Sequence, residues 1–501
     1  MISKIICCLF ICLLSASSTK LHAQSYQAIN GSTQAGSMAV INNPAAALYI
    51  PFAWDITPIA IHAKQTTNAI TVKNFSLFSS GKNSDIEAVP GTAKRYILAN
   101  QEIRLLNTRI RLNKKNAIAF GAVIRSYFSA VTSPLTFRNR FKSLYDFMDL
   151  NYTNNPISGK VRAASWAEIS GTYARNFVNN DNAIINGGIT LKLNRSLAGG
   201  WINFDNITYA PAAVNNRPAY LLQSGNLQYG YSANIDELYG NEPNKAKRFL
   251  KKTFSTISAS IGIEYIVPVE KEGDEKNDYN YDFKLGVSLL DIGYNKYGYS
   301  TNSKVAVHNK DNISDSLLEA SFSNIKNLDA VDDSLAAIAG PLGTLAGNFN
   351  IIQPARLVIN ADKYLADNFF INAELTLPVA SLLAADRLVL SDMNLLAVTP
   401  RYETKTLGVY FPITFNTQKQ LWIGGAFKLG PLLLGIHNWG NLFSKNKIQK
   451  GGGYIALTFR PGKKIMATGK SVDLLKKKKN NFVWWVVRSF KCSMLIKKTR
   501  L

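Results

Sequence analysis

The chain has 501 residues, of which 47% are hydrophobic, yet its mean hydropathy is only −0.04. This composition excludes a helical membrane protein, which would contain several apolar runs of roughly 18 residues or more, because the sequence has none. The net charge of +24 does not indicate nucleic-acid binding, since twelve Lys and Arg residues lie beyond residue 462 beside one acidic residue. We expect the basic excess to face anionic lipid, cell-wall polymers or the lumen of a pore.

The first 23 residues have the features of a cleaved signal peptide. Lys4 supplies the positive charge, and the apolar core from Ile5 to Leu14 is too short to span a bilayer. Small residues follow, and we predict cleavage between Ala23 and Gln24. A retained membrane anchor is the alternative. Export places the mature protein in the cell envelope, and together with the barrel pattern described below it predicts residence in the cell outer membrane.

The cysteine residues agree with export. Cys7, Cys8 and Cys12 lie in the signal and would leave with it, so Cys492 alone remains and no intramolecular disulfide is possible. Stability must therefore come from another source, and a closed, hydrogen-bonded barrel is one such source.

Residues 24–52 predict a compact, irregular segment rather than a strand. The segment contains Gly31, Gly36 and the turn Asn43-Pro44-Ala45, and a proline has no N–H to donate to a β-ladder. We predict that this segment lies in or beneath the lumen of a barrel and restricts passage. A simple periplasmic extension is the alternative.

Residues 53–461 repeatedly alternate between apolar and polar side chains, which is typical of strands with two different faces. A soluble sandwich shows the same alternation. The signal peptide and strands of about ten residues favour a transmembrane antiparallel β-barrel of about 14 strands. We expect Ile261 and Val287 to face lipid and Ser260 and Lys284 to face inward. Aromatic residues near strand ends predict interfacial girdles: Tyr265, Tyr281, Phe369, Phe415 and Phe459.

The predicted barrel carries two insertions, a closing strand and a C-terminal tail. Residues 296–350 contain a helix-like stretch over 317–339, and a second short helix is predicted within 235–252. We expect both to lie in surface loops, and a gating element folded into the lumen is the alternative. Tyr454, Leu457 and Phe459 belong to the predicted closing strand, with Tyr454 inward and the other two outward. Residues 462–501 form a basic tail that we predict to be poorly ordered and dispensable for the barrel, whether it contacts anionic envelope polymers or has no partner.

Four segments in this order resemble a known family: Asn43-Pro44-Ala45, residues 187–200, residues 288–293 and residues 429–435. The chain resembles an uncharacterised Bacteroidetes family of outer-membrane β-barrels, which is distantly similar to the long-chain fatty-acid transporters. The resemblance implies a barrel with an N-terminal hatch, to which the Asn43-Pro44-Ala45 turn would belong. It implies no reaction.

Few residues could carry chemistry. His62, His308 and His437 remain after signal removal, without a His-Glu-x-x-His pair or a Gly-x-Ser-x-Gly elbow. The acidic loop 270–282 matches no calcium-loop spacing. We therefore expect no catalytic activity, cofactor or metal, and interpret His62 as a strand residue facing the lumen or an interface.

The sequence predicts a pore or conduit for small or hydrophobic solutes. A non-transport envelope scaffold or secretion-associated barrel is the alternative, and an outer-membrane enzyme is the remote one. The expected partners are outer-membrane lipid, the barrel-assembly machinery during biogenesis and a hydrophobic small-molecule ligand, with no nucleic acid.

Overall fold

The computed structural model describes residues 26–74, 84–239, 243–269, 281–306, 312–323, 328–339, 342–383, 387–440 and 448–461. All of them belong to one compact unit. The predicted signal peptide with its Ala23–Gln24 cleavage site, His308 and the basic tail lie outside the described residues. The same holds for residues 270–280 of the acidic loop.

Fourteen antiparallel strands form a closed barrel, so the predicted fold class is confirmed. Two of the strands, β11 and β12, are each interrupted once. The strands are β1 (Trp54–Thr67), β2 (Gly91–Arg111), β3 (Asn116–Phe137), β4 (Ile157–Asn179), β5 (Ile184–Val214), β6 (Ser255–Pro268), β7 (Tyr281–Gly298), β8 (Arg356–Ala366), β9 (Phe369–Pro378), β10 (Leu395–Glu403), β11 (Leu407–Tyr410 and Ile413–Asn416), β12 (Leu421–Ile423 and Gly425–Leu429), β13 (Leu432–Ile436) and β14 (Lys450–Phe459).

Pairing of the first and last strands closes the barrel. On β1, Ile61 lies opposite Ile103 of β2 on one side and Ile455 of β14 on the other. Closure lets the sheet pair its backbone N–H and C=O groups all the way round, without a free edge. Because the number of strands is even, β1 begins and β14 ends at the same end of the barrel. We call this end the lower end and the opposite end the upper end.

Side chains alternate between the lumen and the exterior. Ser260 and Lys284 are buried inside, whereas Ile261 is 47% and Val287 43% exposed on the outside. The outer surface carries many further exposed apolar side chains, among them Phe120, Ile169, Phe177, Leu191, Ile257, Phe369, Phe415 and Phe459. The girdle prediction placed Tyr281 on this outer surface, and for this residue the prediction is wrong. The register shifts between Tyr281 and Phe283, and this bulge turns Tyr281 inward, where it is buried.

Several strands are much longer than the predicted ten residues. Strands β2 to β4 have 21, 22 and 23 residues, and β5 has 31. A tilted strand needs only about 9–11 residues to cross a bilayer, so these strands extend well past one membrane thickness. The lower half of β5 pairs with β6, and its upper half pairs with an additional strand, Arg217–Tyr231.

The connections at the upper end contain short strands and helices. The additional strands are Ile70–Lys73, Asp85–Ala88, Lys304–Ala306, Gly343–Thr344, Asn348–Ile352 and Leu388–Val389. The helices are Leu144–Asn151, Tyr152–Asn154, Asp236–Tyr239, Lys245–Lys251, Asp315–Ser321, Leu328–Ala339 and Ala380–Leu383. The predicted helix over 317–339 is therefore two helices. Within the described ranges, no helix is both long and apolar enough to cross a membrane.

Candidate functional site

The N-terminal segment, residues 26–52, fills the lower part of the lumen; we call it the hatch. It consists of four short helical turns, Gln27–Ile29, Gly36–Met38, Ala39–Asn42 and Pro44–Ala47. Most of its side chains are buried, although none of these residues joins the barrel sheet. Gly31 has a φ of +75°, and an added Cβ there would collide with Asn372 and Asp362, so a glycine lets the chain turn back against the wall.

The Asn43-Pro44-Ala45 turn lies in a groove of glycines on the inner wall. The Asn43 side chain accepts a hydrogen bond from the Ala45 N–H at 3.0 Å, which caps the turn, and donates to the Ile263 carbonyl at 2.9 Å. A Cβ on Gly188 of β5 would lie 2.5 Å from the Pro44 carbonyl carbon, and one on Gly262 of β6 would overlap the Asn43 amide oxygen. The wall thus lacks side chains where the turn approaches it.

Polar side chains of β7, β9 and β10 also hold the hatch. Glu374 accepts hydrogen bonds from the amides of Asn30 at 2.8 Å and Asn42 at 2.7 Å. Glu403 accepts one from the Ser32 hydroxyl at 2.5 Å, and the Lys284 ammonium donates to the Gly31 carbonyl. These contacts join groups more than 240 residues apart in sequence.

A buried ion pair holds the lower end of the hatch. The Arg109 guanidinium bonds Asp55 at 2.7 Å and also donates to the carbonyls of Ala47, at 3.2 Å, and Phe52, at 2.6 Å. Asp55 in turn accepts the backbone N–H of Ser37. Because both charged side chains are fully buried, this pair links the hatch to β1 and β2 with no competition from water.

A second layer, the ionic layer, lies above the hatch and crosses the lumen. Asp291 of β7 pairs with Arg125 of β3 at 2.9 Å, with Arg356 of β8 at 2.8 Å and with Lys192 of β5. The layer continues through three further charged residues, Glu102, Arg104 and Glu168. Asp291 has a φ of +59° next to a register shift, so a bulge carries its carboxylate to the centre of this group.

An aromatic layer lies above the ionic layer. Tyr127 stacks on Trp166 with ring centroids 5.5 Å apart, and Tyr297 stacks on Phe349 at 5.3 Å. Phe349 belongs to the strand Asn348–Ile352, which pairs with the upper half of β7 and with Leu388–Val389. The hatch, the ionic layer and the aromatic layer thus occupy the lumen at three successive levels.

The remaining predicted site residues lie around the hatch or outside it. Tyr454 of β14 is buried and its ring packs at 5.5 Å from that of Tyr26, whereas Leu457 is partly exposed and Phe459 exposed. His62 is buried in the lumen 5.6 Å from Tyr26, and neither of its ring nitrogens has a hydrogen-bond partner among the described residues. His437 is buried beside Tyr454. Within the described ranges, no three His, Cys, Asp or Glu residues form a group that could hold a metal ion.

Sequence reasoning missed the ionic layer. Its members lie at inward-facing positions of the barrel strands, such as Glu102 and Arg104 on β2. The signal available in the sequence was that these charged residues fall on the inward side of the two-residue alternation. From the sequence we expect the basic excess to face anionic lipid, cell-wall polymers or the lumen of a pore, whereas these lumen charges pair with one another across the lumen.

Comparisons with known proteins identify a family and a set of barrels. The family described as "Family of unknown function (DUF5723)" matches residues 44–436, and no curated protein matches the chain. Among solved structures, a Pseudomonas aeruginosa FadL homologue has 11% identity and a TM-score of 0.38, covering 88% of this chain and 98% of its own. The Ralstonia pickettii toluene transporter TbuX has 10% identity and a TM-score of 0.38, and the match covers 88% of this chain and 99% of TbuX. The P. putida toluene transporter TodX has 10% identity and a TM-score of 0.34, and the match covers 84% of this chain and 92% of TodX.

Proposed function

The chain belongs to DUF5723, a family of unknown function, and we propose that it is an outer-membrane conduit for small solutes that its hatch keeps closed. The observation that carries this proposal is the hatch itself. A segment of the chain fills a polar lumen but is joined to the wall by side-chain hydrogen bonds and ion pairs rather than by strand pairing. Such a segment can leave the lumen while the barrel stays closed.

The outer surface supports residence in a membrane. Many large apolar side chains are exposed on the outside of the strands, where a soluble barrel would place polar residues. In lipid this belt would face acyl chains, and closure of the sheet would satisfy the backbone. A signal peptide over residues 1–23 would deliver the chain to this membrane.

The balance of interactions supports a hatch that can move. A hydrogen bond to a charged group contributes about 1.5–3 kcal/mol net, but the carboxylates Glu374 and Glu403 would regain water once the hatch left, which offsets the loss of these bonds. Arg109 holds the last residues of the segment, whereas Asp55 holds Ser37 through one backbone hydrogen bond, which must break before the segment leaves. We infer that residues 26–46 leave first, while the ion pair keeps the base in place.

The ionic and aromatic layers narrow the lumen above the hatch. Once the hatch has left, movement of their side chains or of Asn348–Ile352 would be sufficient for a small solute to pass, so the proposal makes the hatch the main barrier. The charged layer favours small polar solutes along the axis over apolar ones. Transport of hydrophobic solutes remains part of the proposal, and the uptake experiment below tests it by including toluene.

A reversible lock tests the gating role. The hydroxyls of Ser37 in the hatch and Thr57 in β1 are 3.0 Å apart, so cysteines at both positions, with Cys492→Ser, can join the hatch to the wall. We compare this protein, oxidised and reduced, with a variant lacking residues 26–48. Solute entry into proteoliposomes is measured for a neutral sugar and for toluene.

We expect the deletion variant to admit solute much faster than the intact protein, and the oxidised double-cysteine protein to admit least. Reduction should restore the rate of the intact protein. Equal rates for all these proteins would refute the gating role and favour an envelope scaffold. The proposal assigns no catalytic activity.

A further inference from the structure

A large cavity opens at the upper end of the barrel, between the wall and the inserted strand Asn348–Ile352. Its volume is about 710 Å³, which lies within the range of about 300–1,000 Å³ typical of small-ligand sites. The cavity is separate from the hatch, whose contacts all lie near the lower end. It is lined by Lys160, Arg162, Asn203, Tyr299, Asn348, Phe349, Asn350, Arg387 and Leu388.

Three cations line this cavity without a carboxylate partner. No ion pair within 4 Å joins Lys160, Arg162 or Arg387 to an acidic residue in the part of the chain that the structure describes. The charge of Asp205 acts on Arg162, but the described residues show no ion pair within 4 Å between the two side chains. This differs from the ionic layer below, where every cation has an acidic neighbour. Among the described residues that line it, the cavity therefore carries three cations and no carboxylate.

The guanidinium of Arg162 is buried and held in place. It donates to the carbonyls of Val161, at 2.7 Å, and Ile202, at 3.0 Å, and to the Asn203 amide oxygen at 2.6 Å. These bonds use neutral acceptors, so they position the charge without neutralising it. A buried cation with only neutral acceptors lowers the free energy of a nearby anion.

The rest of the lining suits a ring that carries hydroxyl groups. Tyr299 and Phe349 lie with ring centroids 4.6 Å apart and line the cavity, which offers an apolar face. Asn203, Asn348 and Asn350 bring amides that both donate and accept hydrogen bonds. A long acyl chain would leave these polar groups without partners, whereas a sugar ring would use them.

We propose that this cavity binds an acidic saccharide, with its carboxylate against Lys160, Arg162 and Arg387 and a ring face against Tyr299 and Phe349. The site is a surface subsite of the upper end, and its occupancy does not require that any solute cross the barrel. It would concentrate acidic saccharides at the mouth of the barrel.

The test measures binding of digalacturonic acid to the full-length mature protein by calorimetry, in a polyoxyethylene detergent that carries no sugar. Its dimethyl ester, which has the same rings without charge, is the matched ligand. Lys160→Gln/Arg387→Gln removes two exposed charges, and Arg162 is left intact because its hydrogen bonds also hold the strand. The control variant is Lys247→Gln, an exposed lysine on the loop helix Lys245–Lys251 that does not line the cavity.

We expect the acid to bind more tightly than its ester, and the double variant to weaken binding about tenfold or more, as loss of charge-assisted hydrogen bonds implies. Lys247→Gln should leave the affinity unchanged, and added salt should weaken the intact protein's binding. Equal affinity for acid and ester, equal loss in the control variant, or displacement by equimolar acetate would each overturn the proposal. Because the calorimetric experiment measures binding and not solute entry, its outcome does not depend on whether the hatch gates the barrel.

Discussion

Asp291 is the residue on which the ion pairs of the lumen converge. One carboxylate serves Arg125, Lys192 and Arg356, which lie on three different strands, and its side chain is almost fully buried. Removing it would leave three cations in the interior with too few acceptors. A buried ion pair need not stabilise a fold relative to apolar side chains, but its disruption costs about 3–5 kcal/mol because a charge is left uncompensated.

We predict that Asp291→Asn lowers the free energy of unfolding by roughly 3–5 kcal/mol. Asparagine accepts the left-handed backbone of this position, so the change removes charge with little strain. The matched control on the same strand is Asp282→Asn, whose pair with Lys363 at 2.6 Å is half exposed and contributes at most about 1 kcal/mol. Urea unfolding of both variants in lipid vesicles checks this. Equal losses would mean that Asp291 is not the centre of the layer.

At the scale of elements, the glycines of β5 and β6 provide the groove for the hatch turn. Gly188 lies opposite Gly262 on the neighbouring strand, and both face the Asn43-Pro44-Ala45 turn. Their absence of side chains lets the wall contact the turn through its backbone. The hatch turn and the glycine-rich segment, far apart in sequence, are therefore two halves of one contact.

We predict that Gly188→Ala displaces the turn, because the added methyl would lie 2.5 Å from the Pro44 carbonyl carbon. Overpacking of this kind costs about 1–3 kcal/mol, and the hatch can relieve it by moving out. Gly171→Ala on β4 is the control, since its methyl would meet only ring carbons of Phe120 at 3.9 Å. Protease cleavage within residues 26–52 of reconstituted protein should be faster in the first variant alone. If both variants resist cleavage like the parent, the groove does not hold the hatch.

The sequence was sufficient to predict strands in which polar and apolar residues alternate without interruption. Alternation along β6 was sufficient to assign Ser260 inward and Ile261 outward, because one face is polar and the other apolar. It was not sufficient at Tyr281 and Asp291, where bulges on β7 change the phase by one residue and leave no signal in the alternation. The pairs of the lumen escaped prediction for another reason. Asp291 and Arg125 are 166 residues apart, and only closure of the barrel brings them together.

The lumen also proved fuller than the alternation indicated. Lumen-facing positions of transmembrane barrels generally tolerate substitution better than lipid-facing ones. The Ser260 hydroxyl instead accepts the backbone N–H of Asp291 at 3.0 Å and is buried beneath the ionic layer. A large side chain there would meet packed groups rather than water, so Ser260 is not a neutral control for the outward face.

At the scale of the whole molecule, the barrel is complete before residue 460. Strand β14 pairs with β13 on one side, where Leu457 lies opposite Leu432, and with β1 on the other, where Phe459 lies opposite Ile56. Arg460 follows immediately and belongs to the hatch contacts instead. Its guanidinium donates to the backbone carbonyl of Gln34 and lies 5.0 Å from the Phe52 ring centre. Strand β14, which ends at Phe459, therefore closes the barrel, whereas the next residue, Arg460, helps to hold the hatch.

Two truncations separate these roles. We predict that a chain ending at Pro461 still inserts and still migrates differently on gels before and after boiling, because every strand of the closed sheet is present. Its solute entry should stay as slow as that of the full chain. A chain ending at Phe459 keeps the same fourteen strands but lacks Arg460, so it should insert equally well and admit solute faster. Failure of the first chain to insert would place an assembly signal in residues 462–501 and make Phe459 insufficient as the end of the closing strand. Identical solute entry by the two chains would instead show that Arg460 does not hold the hatch, leaving the wall contacts of Glu374, Glu403 and Arg109 to retain it.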